Sequence, residues 1–278
     1  MGSVVLCSPP GADGVPSPLV LAAAELAGVD RVFTLGGAGA IAAMAYGTVT
    51  VPRVDRIVGP GNAWVMEAKL QITGTCSIDS PAGPSELLVI ADDGADPAAV
   101  ARELFAQAEH DPEASAVAIA LSAAAAARII DAVERGLAAE PRREVIATAL
   151  AARGAVLVAA DLDMAIAFAA EYAPEHLLLA LRDAPAALAA VRNAGTVCVG
   201  DSSSVAFGDY ATGANHTLPT AGLARSYSGL STLDFVRWTT WQRVSPDAAA
   251  RLADDVALLG RAEGLPAHAA AAAAWRRP

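Results

Sequence analysis

Gln107 and His110 lie three residues apart within residues 104–112, which read LFAQAEHDP. Residues at this spacing share one face of a helix, so both side chains can point at one spot. An amide oxygen and an imidazole nitrogen placed there would form half of a metal site. The alternative for His110 alone is a surface histidine at a helix end, where the helix dipole favours it.

Glu175 and His176 are adjacent in the segment APEH. A carboxylate beside a group that titrates near neutral pH is what proton transfer from an alcohol or to a water requires. The pair is therefore a candidate for acid/base chemistry. Two further histidines complete the set in this chain, and they are His216 and His268.

Asp209 and His216 flank a glycine-rich stretch in the segment GDYATGANH. A loop of this kind can bring a carboxylate oxygen and an imidazole towards one centre. Together with Gln107 and His110 they would offer nitrogen and oxygen ligands and no sulfur. This donor set suits Zn²⁺, with Mn²⁺ as the second choice.

Short apolar runs alternate with glycine-containing turns and helical patterns along most of the chain. Strand, tight turn and helix repeated in this way indicate parallel βαβ units, so we predict an α/β fold of Rossmann-like style with a helical carboxy-terminal tail from residue 226. The predicted strands are residues 4–6, 31–35, 56–58, 87–91, 116–121, 155–158, 177–181 and 196–199. The predicted helices are residues 18–28, 38–46, 63–71, 96–108, 123–137, 142–153, 162–173 and 184–194.

Two loops of this pattern are candidates for ligand contact. The dinucleotide fingerprint GxGxxG is absent, but GPGN at residues 59–62 can present backbone N–H groups to a phosphate at a helix start. A strand-to-helix turn without a ligand is the alternative. The polar turn at residues 77–86, SIDSPAGPSE, precedes a predicted strand, and loops at strand ends often carry the sites of α/β sheets.

Composition excludes several classes of function. The net charge of −11 and the absence of any basic run argue against a nucleic-acid partner. Apolar runs are broken by charge before the roughly 20 residues that a bilayer requires, and residues 1–7 lack the basic start of a signal peptide. Three widely separated cysteines form neither a disulfide framework nor a CxxC metal motif, so a reducing cytosol is expected.

Six segments, in this order, resemble the histidinol dehydrogenase family: VDRIVGPGNAWVMEAK, DSPAGPSELLVIAD, AQAEHDP, YAPEHL, GDYATGANHTLPT and AEGLPAH. The resemblance runs from about residue 4 to residue 268. It implies oxidation of L-histidinol to L-histidine in two NAD-dependent steps through a bound aldehyde, with zinc. It also implies a homodimer whose sites include residues of both subunits.

The resemblance implies a role for particular residues. Glu175 would activate the water that adds to the aldehyde, and His176 would take the alcohol proton. Asn62 would contact the nucleotide. The implied zinc ligands are Gln107, His110 and Asp209, with His268 from the partner chain. The implied substrate contacts are Ser85, Gln107, His110, His176, His216, Asp209, Glu263 and His268.

The same resemblance implies three regions. They are a partial nucleotide-binding Rossmann-like domain at residues 1–85, a second Rossmann-like domain with the metal and acid/base residues at 86–222, and a helical dimerisation tail at 223–278. The family carries a further amino-terminal portion that supplies early strands of both nucleotide-fold domains. A short member or a fragment, with both Rossmann-like domains incomplete on that side, is therefore expected.

Two positions depart from the family pattern. Gly39 stands where the family usually has a glutamine that faces NAD, and Val205 where it usually has a glutamate near the substrate. These departures leave three hypotheses: a histidinol dehydrogenase, a family dehydrogenase for another amino or sulfonated alcohol, and a non-catalytic zinc-binding protein. Retention of both Glu175 and His176 favours catalysis.

Overall fold

A computed structural model describes residues 2–81 and 83–276 of the chain. Met1, Ala82 in the predicted turn at 77–86, and residues 277–278 of the predicted tail lie outside the described residues. The chain divides into two compact units, one ending at Phe235 and the other beginning at Val236. The predicted regions 1–85, 86–222 and 223–278 stay predictions.

The amino-terminal part of the first unit forms two separate parallel strand pairs. Val5 aligns with Arg31 in one pair, and Arg56 aligns with Ser77 in the other. The second pair corrects the predicted loop at 77–86, whose first two residues form a short strand. The elements are β1 (Val5–Ser8), α1 (Pro18–Leu26), β2 (Arg31–Thr34), α2 (Gly37–Tyr46), β3 (Arg56–Ile57), α3 (Ala63–Ile72) and β4 (Ser77–Ile78).

A five-stranded sheet forms the centre of the first unit among the described residues. Every neighbouring pair of its strands is parallel. The elements are β5 (Glu86–Ala91), α4 (Pro97–Ala108), β6 (Ser115–Ala120), α5 (Ala123–Leu137), α6 (Arg143–Arg153), β7 (Gly154–Val158), α7 (Leu162–Tyr172), β8 (His176–Ala180), α8 (Ala184–Leu188), β9 (Thr196–Val199) and α9 (Val205–Tyr210).

The order of this sheet is β7-β6-β5-β8-β9, so the chain winds outwards from β5 in one direction and then returns to continue in the other. This is the doubly wound Rossmann order. The structure thus confirms an α/β fold with parallel sheets and carboxy-terminal helices.

Two apolar layers cover the faces of this sheet. Side chains alternate between faces along a strand, so Leu87 and Val89 join the cluster that includes residues of α4, α5 and α6. Leu88 and Ile90 join the cluster that includes residues of α7 and α8. Many of the buried helix residues are alanines, which allow helices to approach the sheet closely.

The direction of α4 determines where its end lies. Asp96 accepts a hydrogen bond from the Ala98 amide and Pro97 occupies the first turn, so the helix begins just beyond β5. Because a helix that joins two parallel strands runs back along the sheet, the end of α4 returns to the edge where the strands begin. His176 begins β8 at this same edge.

Three further predicted stretches differ from the structure. The helix predicted at 184–194 ends at Leu188, and the loop predicted at 200–219 contains α9. The helical pattern predicted from residue 226 is wrong up to residue 245, because this stretch contains only a 3₁₀ turn, Thr232–Phe235. The stretch is rich in Ser, Thr and Gly, which disfavour a helix interior, and a regular helix starts only at Pro246, where Ser245 caps it by accepting the Ala248 amide.

The second unit contains α10 (Pro246–Ala262) and α11 (Pro266–Ala273). Gly260 lets them pack closely, because an added Cβ there would lie 2.9 Å from the Ala269 nitrogen. In the part of the chain that the structure describes, no helix has the length and apolarity needed to cross a membrane.

Candidate active site

The adjacent pair Glu175 and His176 lies where the chain enters β8. Ala173 ends α7 in the left-handed conformation, with φ 50°, and Pro174 leads into the strand. Glu175 is 4% exposed and His176 is 2% exposed. A carboxyl and an imidazole this deeply buried need polar partners, because burial without them is costly.

The main chain of Glu86, at the start of the neighbouring strand β5, provides partners for both. Its N–H donates to Glu175 Oε2 at 2.8 Å, and its carbonyl oxygen lies 3.2 Å from His176 Nδ1. Because a carbonyl only accepts, Nδ1 is the protonated nitrogen in this contact. His176 Nε2 therefore remains to exchange a proton with another group.

Asp209 connects His176 to His216. Asp209 Oδ1 lies 3.8 Å from His176 Nε2 and 3.0 Å from His216 Nδ1. The longer distance is an ionic contact rather than a hydrogen bond. Asp209 lies in α9, so the predicted loop position is corrected to a short helix.

The carboxylates of Glu175 and Asp209 change the pKa of the imidazole between them. Burial disfavours the imidazolium, but Asp209 and Glu175 outweigh burial and raise the pKa of His176 to about 9. In return, the imidazole of His176 lowers the pKa of Asp209 to about 2, against the effect of burial and with help from His216.

The end of α4 reaches the same group. The rings of His110 and His216 have centroids 6.1 Å apart. His110 lies just beyond the helix, and its main-chain N–H donates a hydrogen bond to the Gln107 carbonyl oxygen at 3.3 Å. Gln107 is 3% exposed, and its Nε2 has no hydrogen-bond partner among the described residues. The structure thus brings His110, His216, Asp209 and His176 into one chain of neighbours, with Gln107 on the adjacent turn.

The donor types of this group fit a zinc ion, since they are nitrogen and oxygen atoms. Gln107 would bind a metal ion through its amide oxygen, while its buried Nε2 calls for a hydrogen-bond acceptor such as a water or a ligand. Among residues 2–81 and 83–276, no three His, Cys, Asp or Glu side chains are already placed to hold a metal ion. The first unit therefore offers an incomplete set of donors.

The other predicted residues have different surroundings. The Ser85 carbonyl accepts the Ser115 amide at 3.0 Å, next to the start of β5. The side chain of Asn62 caps α3 by accepting the Val65 amide at 3.2 Å. Glu263 ends α10 and His268 lies in α11, both in the second unit. Their roles stay predictions.

Glu86 and Gly195 were missed by the sequence analysis. An added Cβ at Gly195 would lie 2.6 Å from the Glu175 carbonyl oxygen, which accepts the Thr196 amide at 2.9 Å. Only a residue without a side chain allows this approach. The position of Glu86 in GPSE, next to Ser85, was the only signal for it.

We expect Gly195→Ala to destabilise the protein by about 1–3 kcal/mol, because the methyl group forces the main chain of Glu175 to move. Urea unfolding followed by circular dichroism would measure this cost. Gly74→Ala is the matched control, since an added Cβ there meets no atom within 4 Å. Equal stability of the two variants would contradict the prediction.

The doubly wound sheet is shared with proteins of very different sequence. A propionaldehyde dehydrogenase from Clostridium phytofermentans has a TM-score of 0.50 at 13% identity, over 84% of this chain and 74% of that one. At this identity the likeness shows the fold alone.

Closer relatives identify the family. The histidinol dehydrogenase of Methanosarcina mazei is 47% identical over 266 residues, 96% of this chain and 61% of the relative. The crystal structure of histidinol dehydrogenase from Elizabethkingia anophelis has a TM-score of 0.92 at 37% identity, over 98% of this chain and 63% of that one. The histidinol dehydrogenase family model matches residues 1–276, and the chain belongs to this family. It spans about three fifths of the length of these relatives.

Proposed function

We propose that the protein is an oxidoreductase of histidine biosynthesis that oxidises L-histidinol to L-histidine through L-histidinaldehyde, with NAD and zinc. The buried pair Glu175 and His176, with the His176 imidazole in contact with Asp209, supports this proposal most strongly. A protein that only held a metal would not need a buried acid beside a buried base. Family membership supplies the substrate.

His176 accepts the proton of the substrate alcohol in this proposal. Its Nδ1 is anchored on the Glu86 carbonyl, so Nε2 is the nitrogen that faces the reacting group. The charge of Asp209 favours the imidazolium form of His176. If Asp209 shares its charge with a cation, it favours the imidazolium less, and His176 is then available as a base.

Glu175 activates the water that adds to the aldehyde. Its Oε2 is held by the Glu86 amide at 2.8 Å, which fixes the carboxylate in place. A positioned carboxylate within reach of a water can take its proton as the water attacks the carbonyl carbon.

Gln107, His110 and Asp209 would hold zinc in this proposal, with His268 of the partner subunit. When bound, zinc polarises the reacting oxygen and orients the substrate. Gln107 would ligate through its amide oxygen, which leaves its buried Nε2 to donate to the substrate or to a water. Ser85, His216 and Glu263 would contact the substrate.

We expect Asp209→Asn to weaken zinc binding by at least about tenfold. Loss of a group that only hydrogen-bonds to a metal ligand already lowers metal affinity by about 10–100-fold, and Asp209 would be a ligand itself. Calorimetric titration of the apoprotein with zinc chloride measures the effect. Asp131→Asn, at an exposed carboxylate in α5, is the control and should bind as the parent does. Equal affinities would exclude Asp209 as a ligand.

The turn at residues 59–62 would contact NAD, with Asn62 at the start of α3. When bound, the nicotinamide accepts hydride from the substrate. Asn62 Oδ1 is occupied by the Val65 amide, so its side-chain NH₂ group is the part that can donate to the nucleotide. An added Cβ at Gly39 would meet no atom within 4 Å. This position leaves room for the cofactor but offers no side-chain contact.

We also propose a homodimer with shared sites in the cytosol, without nucleic-acid or membrane partners. The implied contribution of His268 from a partner supports the dimer. The three free cysteines and the net charge of −11 support the location and the absence of a nucleic-acid partner.

A different alcohol substrate was suggested by Val205. The Val205 side chain is 6% exposed and packs in the apolar cluster of α4, α5 and α6, while its N–H donates to Glu103 Oε2 at 3.0 Å. This position serves the core and the start of α9, so it gives no reason to prefer another substrate.

The decisive experiment is NADH absorbance with the purified protein, zinc, NAD⁺ and a panel of amino alcohols. L-Histidinol should be the best substrate. A zinc-loaded protein that never reduces NAD⁺ with L-histidinol would overturn the proposal. Calorimetry with NAD⁺ would then decide between an inactive dehydrogenase and a protein without a cofactor site.

A further inference from the structure

Glu86 touches the proposed acid/base pair through its main chain and a second loop through its side chain. We infer that Glu86 is a positioning residue, whose carboxyl group fixes the loop at residues 216–222 and thereby the place of His216. This inference rests on the proposed function, in which His216 contacts the substrate.

The side chain of Glu86 binds a residue whose main chain has an unusual conformation. Glu86 Oε1 accepts a hydrogen bond from the Ala221 amide at 3.0 Å. Ala221 has φ 56°, in the left-handed region, and Gly222 follows with φ 75°. This region is unfavourable for alanine because its Cβ approaches the carbonyl oxygen. The hydrogen bond from Glu86 therefore stabilises a turn that the local sequence does not favour.

A second contact joins the same two segments. Thr220 is 2% exposed, and its hydroxyl oxygen accepts the Gly83 amide at 2.5 Å. The segment that carries Ser85 and the segment that carries His216 are thus connected by two hydrogen bonds. Both proposed substrate residues depend on this connection for their relative position.

The carboxyl group of Glu86 is well suited to act as a hydrogen-bond acceptor rather than as a free charge. Burial raises its pKa, with the nearby Glu175 acting in the same direction, while the Ala221 amide and Arg153 oppose the rise. Its Oε2 is buried, and no hydrogen-bond partner for it lies among residues 2–81 and 83–276. A glutamine of the same shape keeps an acceptor for the Ala221 amide and is therefore a close mimic.

Hydrogen exchange of the Ala221 amide tests the link without any ligand. Glu86→Ala should speed its exchange by about tenfold, as expected when one hydrogen bond is lost, whereas Glu86→Gln should leave it within about twofold of the parent. Thr220→Val is a second variant and should speed exchange at Gly83. Unchanged exchange at Ala221 in Glu86→Ala, or at Gly83 in Thr220→Val if the first variant does not fold, would overturn the inference.

Steady-state kinetics with L-histidinol tests the consequence. Glu86→Ala should raise KM by about tenfold with kcat within about threefold, because it affects substrate binding more than the chemical step, and Glu86→Gln should restore KM. A fall in kcat at constant KM would overturn the positioning role. If the parent protein forms no NADH, the proposed function fails, while the exchange experiment still decides whether Glu86 holds the loop.

Discussion

His176→Asn is expected to lower kcat for L-histidinol by about 10²–10⁴-fold, the usual contribution of a positioned acid or base. Asparagine can place an NH₂ group where Nδ1 lies, so it can keep the contact to the Glu86 carbonyl, now 3.2 Å from Nδ1. It has no counterpart of Nε2 and cannot take a proton. The variant therefore removes the proposed chemistry and preserves an anchor of the fold.

Glu175→Gln is the matched partner of this variant. If the proposed roles are correct, His176→Asn impairs oxidation of the alcohol, and Glu175→Gln impairs oxidation of L-histidinaldehyde. Stopped-flow measurement of NADH formation from each substrate would separate the two steps. His176→Asn retaining more than about a tenth of the parent kcat, with an unchanged unfolding midpoint, would show that His176 is not the base.

Lys69→Met is expected to destabilise the first unit by about 3–5 kcal/mol, the usual cost of leaving one member of a buried ion pair without its partner. The side chains of Lys69 and Asp79 are 3% and 2% exposed, with Nζ 2.7 Å from Oδ1. Nζ also donates to the Gly59 carbonyl at 2.5 Å, and Asp79 Oδ2 accepts the Gly59 amide at 2.8 Å. Loss of the ammonium group leaves the buried Asp79 side chain without its ion-pair partner and removes one contact to the start of the turn at 59–62.

Arg135→Met provides the control for this prediction. Arg135 pairs with Asp131 at 2.6 Å on the surface of α5, where the two side chains are 72% and 57% exposed. Such pairs contribute at most about 1 kcal/mol, because water screens them. Urea unfolding of both variants would measure the difference. A loss of similar size in the two variants would show that the Lys69 pair is not essential to the fold.

The sequence by itself predicted several helices and strands and contained the motifs of the site. The predicted helix at 123–137 and the strand at 196–199 are confirmed to the residue. The helix predicted at 96–108 is observed from Pro97 to Ala108, because a capping carboxylate at Asp96 and a proline at the first helical position act within one turn. The motifs around Gln107 and His176 also identified the family, because their types and order are fixed by the sequence alone.

Only the tertiary structure decided which of these residues meet. Glu86 and Ala221 are 135 positions apart, and their contact depends on the order of the parallel strands and on the turn beyond β9. Asp209 approaches His176 because α9 forms within a stretch that the glycine pattern predicted as a loop. The need for a glycine at position 195 follows only from its close approach to the Glu175 carbonyl oxygen. Contacts of this kind arise from packing between distant segments, which neither residue spacing nor local conformational preference encodes.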